Sequence, residues 1–225
     1  MNLNEVVPWG RTRIEYQQMV NLTDADLTKR ILGVGDGPAS FNAEMTTDGY
    51  YVVSTDPIYR YTASEIERRV RDTYATVVEQ TRANADRYNW TTFRDADELG
   101  HQRMNAMNKF LGDYETGRAQ GRYVAASLPT LPFADDSFDL ALCSHLLFLY
   151  SEQLSLPFHV ESIREMLRVA KEVRIFPLLT LTGQPSPFVA DVLADCQAND
   201  IRADVVVVTY HFQKGANQML RLTHS

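Results

Sequence analysis

Residues 31–41 read Ile31-Leu32-Gly33-Val34-Gly35-Asp36-Gly37-Pro38-Ala39-Ser40-Phe41, and their reading decides the fold. An apolar run (Ile31, Leu32, Val34) breaks into Gly33, Gly35 and Gly37. A buried strand that turns sharply into a helix needs this composition. Glycine tolerates positive φ and lets a ligand approach the backbone closely. The next apolar run, Tyr51-Val52-Val53-Ser54-Thr55-Asp56, ends in a carboxylate 21 residues past Gly35. That spacing suits an acceptor for ribose hydroxyls at the tip of a second parallel strand. The two features together predict an adenosine-containing ligand at the carboxyl edge of an α/β sheet.

Outward from this stretch the chain alternates strands and helices. A first helix is expected over 11–22, and Thr23-Asp24-Ala25-Asp26 reads as a helix start ahead of a strand over 29–34. Pro38 suits the first turn of the following helix, which should stop near Gly49, and a second strand covers 50–55. Ser64-Glu65-Ile66-Glu67 resembles a capping box. Ile66, Val70, Tyr74, Val77 and Val78 then follow a helical stripe to about residue 88. A second helix carries Leu99, Met107, Phe110, Leu111 and Tyr114, with Gly117 and Gly121 ending it. The stretch 59–121 is too long for a simple crossover and reads as a helical insertion within a single domain over 1–225.

Further strands are expected over 122–126, 138–144, 172–177, 205–209 and 218–223, with helices over 159–169 and from Pro187 to about 198. The run Leu140-Ala141-Leu142-Cys143 suits a strand buried on both faces. The last two strands are joined by too few residues for a helical crossover, so they form an antiparallel hairpin.

Bulk composition narrows the class. The chain has 225 residues, 44% hydrophobic and 23% charged, enough to bury a core without a disulfide or metal staple. With 22 basic and 29 acidic side chains the net charge is −7, which argues against a general nucleic-acid or acidic-membrane surface. No leader-like or membrane-spanning run is present, and Cys143 and Cys196 read as core thiols, so a cytoplasmic location is expected.

The alternating chain with its closing hairpin resembles the class I S-adenosylmethionine-dependent methyltransferases. Ile31–Pro38 looks like their glycine-rich first motif, Val52–Asp56 like their second strand and ribose-binding acid. Leu131-Pro132-Phe133-Ala134-Asp135-Asp136-Ser137-Phe138-Asp139-Leu140-Ala141-Leu142-Cys143-Ser144-His145 looks like their LPF…FD loop and fourth strand, in the form common among small-molecule enzymes of the ubiquinone-biosynthesis type. The likeness spans roughly 25–58 and 122–223. It implies a Rossmann-like sheet, mostly parallel with an antiparallel C-terminal hairpin, helices on both faces, S-adenosylmethionine as cofactor and a small-molecule acceptor. It also implies that Gly33, Gly35, Asp36 and Gly37 shape the turn under the methionine part, that Asp56 with Pro57 meets the ribose, that Ser127 and Leu128 meet the adenine, and that Ser144 and His145 flank the methyl group.

The chain departs from the family twice. Gly33 stands where the first strand usually carries an acid, and Ser127 stands where the loop after the third strand usually has Asp. Asp36 is the candidate substitute for the first. These departures also fit a catalytically inactive cofactor-binding module of the same fold, and the glycine loop alone suits a nicotinamide-dependent oxidoreductase. The hairpin and the LPF…FD segment favour the methyltransferase.

His145 is the candidate catalytic base, or else a strand-end histidine that hydrogen-bonds the fold. Phe148 and Tyr150 wall the acceptor pocket or pack the next helix. Trp9 and Arg11 form a lid over the cofactor, with Arg11 on its carboxylate, or belong to a solvated N-terminal helix. No metal-ligand spacing is diagnostic. An insertion of this size offers a surface for oligomer formation.

Overall fold

A computed structural model describes residues 8–224. Four strands at its centre have every residue buried: β1 (Ile31–Val34), β2 (Val52–Thr55), β4 (Leu140–Ser144) and β5 (Glu172–Phe176). Together with β3 (Tyr123–Val124), β6 (Ile201–Val207) and β7 (Gln218–His224) they make a seven-stranded sheet of order β3-β2-β1-β4-β5-β7-β6. The pairs from β3 to β5 are parallel. β7 runs antiparallel to both β5 and β6. Chain order reverses beside β1, which pairs with β2 on one side and β4 on the other. Open α/β sheets leave a crevice at the carboxyl ends of strands at such a point.

Alternation along each strand feeds two cores. Leu32, Ala141 and Cys143 face a cluster with Ile163, Met166 and Leu167 of α6 (Leu156–Val169) and with Val192 and Cys196 of α7 (Val189–Ala198). Ile31, Leu140 and Leu142 face the opposite cluster, with Tyr16 and Met19 of α1 (Arg13–Met19) and Phe41 and Met45 of α3 (Phe41–Thr47). A short α2 (Asp24–Leu27) leads into β1 and carries a capping box between Thr23 and Asp26. Both cysteines are buried and free. No helix among the described residues is long and apolar enough to cross a membrane.

Between β2 and β3 stand two long helices, α4 (Ala63–Ala83) and α5 (Ala96–Ala119). They enclose a third core of Tyr59, Ile66, Val70, Met107, Phe110, Tyr114 and Tyr123.

Several expected boundaries move, each for a local reason. The capping box of α4 is Thr62 with Glu65, not Ser64 with Glu67, and Ser64 falls inside the first turn. Gly117 lies within α5 rather than ending it. A Cβ there would come within 2.4 Å of the Tyr123 ring, so glycine is required by packing. Gly121, at φ +76°, follows the helix end at Ala119. The hairpin's outer strand begins at Ile201, not 205. On this edge strand Arg202 and Asp204 point out and pair with each other at 2.9 Å, which hides the strand in a polar-looking sequence.

Pro38 is not in the first turn of α3, which starts three residues later at Phe41. The segment around Gly10 lies against this turn instead. A Cβ on Gly10 would meet the Pro38 carbonyl oxygen at 2.1 Å, and Ser40 N–H donates to the Arg11 carbonyl at 3.0 Å. Residues 8–12 are not helical, and α1 begins at Arg13 behind its Thr12–Glu15 capping box.

Candidate active site

The glycine turn is held from three directions. Gly35 (φ +70°) donates its N–H to the Thr55 carbonyl at 2.8 Å. Gly37 (φ +54°) donates to Asp56 Oδ2 at 2.9 Å, and the Tyr59 hydroxyl donates to the Gly37 carbonyl at 2.7 Å. Asp56 leaves β2 extended and caps the turn Pro57–Arg60, its Oδ1 accepting from Ile58 N–H at 2.8 Å. Both Asp56 oxygens are thus fixed by backbone donors, and each keeps a lone pair for a ligand.

Asp36 and Gly33 explain each other. A Cβ on Gly33 would lie 1.8 Å from Asp36 Oδ2 and 2.5 Å from its Cγ. The Asp36 carboxylate therefore occupies the space that a side chain at position 33 would take. Glycine at 33 is what admits the Asp36 carboxylate to this space. Tyr16 Oη donates to Asp36 Oδ1 at 2.8 Å and Ser54 Oγ to Oδ2 at 2.6 Å. Burial pushes the Asp36 carboxyl up to about 6 against these two hydrogen bonds, and neighbouring Asp56 adds to the rise. Burial likewise pushes Asp56 up to about 6 against its two backbone donors.

These groups line a cavity of about 600 Å³ at the carboxyl ends of β1, β2 and β4. Of the residues expected at the cofactor, Gly35, Asp36, Gly37, Asp56, Pro57, Ser127, Leu128, Ser144 and His145 all line it, and so do Trp9 and Arg11. Gly33 does not; it sits behind Asp36. A second, smaller cavity of about 110 Å³ lies beside the first. Trp9, Arg11 and His145 line both. Tyr150 lines the small cavity only. Phe148 lines neither: it is wholly buried in the core against the His159 ring, with its N–H donating to His159 Nε2 at 2.9 Å. Of the two readings of Phe148, packing is the one that matches its position.

His145 follows β4 in the left-handed region, φ +57°, with its N–H on the Phe176 carbonyl at 2.7 Å. Its Nδ1 lies 2.8 Å from Ser144 Oγ. The Ser144 hydroxyl donates to Met19 Sδ at 3.7 Å. Assigned from this network, Ser144 Oγ accepts from Nδ1–H and Nε2 keeps its lone pair. Burial, then the charges of Arg11 and Arg103, hold the imidazole well below its usual range, so it is neutral.

Arg103 of α5 is the site residue that pattern reading missed. It is 2% exposed, pairs with Glu15 and lines the small cavity. The signal was present: Arg103 falls four residues after Leu99 and four before Met107, a charge on the apolar stripe of a helix. Trp90 and Asp95 have local duties. Trp90 Nε1–H donates to the Ala85 carbonyl at 2.8 Å, and Asp95 caps α5.

A family model described as a methyltransferase domain matches residues 101–174. A curated relative, uncharacterized protein MJ0045 of Methanocaldococcus jannaschii, is 36% identical over 221 residues, covering 98% of this chain and 97% of its own. The chain belongs to the class I S-adenosylmethionine-dependent methyltransferases. Among solved structures, magnesium protoporphyrin IX methyltransferase from Synechocystis PCC 6803 with bound SAH superposes with TM-score 0.50 at 13% identity, over 94% of this chain and 84% of that one. The PH0226 protein from Pyrococcus horikoshii OT3 superposes with TM-score 0.50 at 9% identity, over 95% and 90%. At these identities the likeness is one of fold. S-adenosylmethionine is the cofactor of this methyltransferase family.

Proposed function

We propose that this methyltransferase moves the methyl group of S-adenosylmethionine onto a small-molecule acceptor. One observation carries the reading: the large cavity and the small one meet at His145, Arg11 and Trp9. A two-substrate transfer needs two chambers that share the reacting point, because an in-line displacement depends mainly on alignment.

The donor set of the large cavity fits the cofactor. Asp36 offers a carboxylate to the ammonium of the methionine part, and Asp56 offers its spare lone pairs to the ribose hydroxyls. Ser127 and Leu128 border the adenine, and Gly35 and Gly37 keep the floor free of side chains. When bound, the sulfonium supplies an electrophilic methyl: the acceptor atom bonds to that carbon while the C–S electron pair returns to sulfur, leaving S-adenosylhomocysteine. His145 stands at the meeting point, with Ser144 next to it in the wall of the large cavity. The neutral Nε2 of His145 takes the acceptor's proton where the acceptor is a hydroxyl or amine.

The test has two stages. Calorimetric titration with S-adenosylhomocysteine should give saturable one-site binding. Labelled S-adenosylmethionine should then transfer label to an acceptor in a small-molecule extract, and His145→Ala should abolish transfer with the binding intact. Binding without transfer to any acceptor would leave the inactive module as the better description.

The same titration run against pH has a definite sign. Ionised Asp36 and Asp56 are the forms that accept from an ammonium and from hydroxyls, and both titrate near 6. Affinity should therefore rise with pH through 6 and level off above 7. At pH 5 the dissociation constant should be about tenfold weaker for each carboxyl that must ionise. Asp36→Asn should weaken binding at pH 7.5 and flatten part of this slope. A pH-independent constant between 5 and 7.5 would exclude these carboxyls from the cofactor site.

A further inference from the structure

The small cavity is rich in aromatic residues: Trp9, Tyr88, Tyr150, Phe176, Tyr210 and Phe212 line it from the N-terminal segment, the insertion, the loop after β4, β5 and the β6–β7 loop. Its volume, about 110 Å³, is below the ~150 Å³ of an apolar cavity that holds one benzene ring, so a planar ligand seated there projects past Trp9, Arg11 and His145 into the large cavity.

Its charges do not balance. Two guanidiniums, Arg11 and Arg103, line it, and one carboxylate, Glu15, stands behind Arg103. Arg103 gives one nitrogen to Glu15 and another to Tyr210 Oη at 3.4 Å. Its Nε–H is buried with no partner among the described residues. The Arg11 Nε–H is buried and unpartnered in the same way. Arg11 donates to the Trp9 carbonyl at 3.2 Å and is paired with no carboxylate among the described residues. A buried donor without a partner is costly, so two guanidiniums held in this way beside one cavity call for more than packing. Fixed positive charge in the wall of a buried cavity attracts an anion.

We propose that the small cavity binds a small planar aromatic carboxylate, its ring between the aromatic walls and its carboxylate toward Arg103 and Arg11, and that the methyl acceptor belongs to this class. The identification of the ligand as acceptor rests on the methyltransferase reading above. Guanidinium donors form a planar fork that matches a carboxylate edge, so the anion and the ring orient together. With the carboxylate held at Arg103, the rest of the ring extends toward His145, where the two cavities join.

Benzoate and benzamide are the probes, near-isosteric and differing in charge, titrated into protein saturated with S-adenosylhomocysteine and read by tryptophan fluorescence and calorimetry. Benzoate should bind at least about tenfold more tightly than benzamide, the margin of one charge-assisted hydrogen bond. Arg103→Met should erase the margin and leave the S-adenosylhomocysteine constant unchanged. Since Arg103→Met also strips Glu15 of its partner, Leu99→Phe supplies an independent variant. It fills the small cavity from α5 and should block benzoate alone. Equal affinity for the two probes, or benzoate binding untouched by both variants, overturns the proposal. Loss of S-adenosylhomocysteine affinity in Arg103→Met also overturns it, because the guanidinium would then serve the cofactor. Failure of the unmodified protein to bind S-adenosylhomocysteine at all is a separate result and removes the methyltransferase reading itself.

Discussion

Gly33→Ala is expected to weaken S-adenosylhomocysteine binding about as much as Asp36→Ala does, by roughly ten- to a hundredfold, although position 33 touches no ligand. The added Cβ would stand 1.8 Å from Asp36 Oδ2, 2.5 Å from Cγ and 2.7 Å from Oδ1. No rotation of the methyl relieves this, because the whole carboxyl group fills that space. The carboxylate must leave, and its bonds from Tyr16 and Ser54 go with it. The loss of a charged partner for the ligand's ammonium is worth about 1–3 kcal/mol, and overpacking adds a similar cost to folding. Gly33→Asp alone should fail in the same way. Gly33→Asp combined with Asp36→Ser returns the acid to the position the family ordinarily uses and should recover part of the affinity that each single change loses. Calorimetry on the four proteins gives the coupling, which contact between the two positions predicts to be large. Additive losses, or a Gly33→Ala protein that binds normally, would break the proposed equivalence of Asp36 with the first-strand acid.

That exchange shows where the sequence was legible. Local rules located the turn: apolar residues running into glycines read as strand, turn and helix, and Gly35 and Gly37 do take positive φ. Spacing pointed to Asp56, which lines the large cavity. The parallel sheet and its antiparallel closure followed from run lengths and from a connection too short for a helix. What stayed hidden depends on contacts between distant segments. Nothing along the chain says that Gly10 rests on Pro38, yet that contact sets the segment carrying Trp9 and Arg11 against the glycine turn. Arg103 looks like a surface charge until Glu15, 88 residues earlier, is placed against it. Phe148 sits in a pattern that suits a pocket wall as well as a core, and only the position of His159 separates the two.

Glu15→Ala is expected to be the most destabilising of these changes, by about 3–5 kcal/mol, the usual cost of stripping a buried charge of its partner. For a chain of this size that is a fall in melting temperature of roughly 6–20 °C. Three functions end together. Glu15 is the carboxylate that compensates Arg103, it accepts from Tyr210 Oη at 3.1 Å, and it closes the capping box by accepting from Thr12 N–H at 3.0 Å. Burial pushes its carboxyl up, but the Arg103 charge and hydrogen bond, with Arg11 and Thr12 behind them, hold it down at about 2. The sign of the pH dependence follows. The folded value lies below the unfolded one, so the contribution is fully present above the ordinary carboxyl range and is lost as pH falls toward 2. The gap in stability between the unmodified protein and Glu15→Ala should narrow over that interval by about 3 kcal/mol. Glu15→Leu with Arg103→Met removes both charges and should cost less than Glu15→Ala alone, since a buried pair is often replaceable while half of one is not. If instead the double variant is the worse of the two, the ion pair itself stabilises the fold, and the surplus positive charge at the small cavity is not what Glu15 is there to restrain.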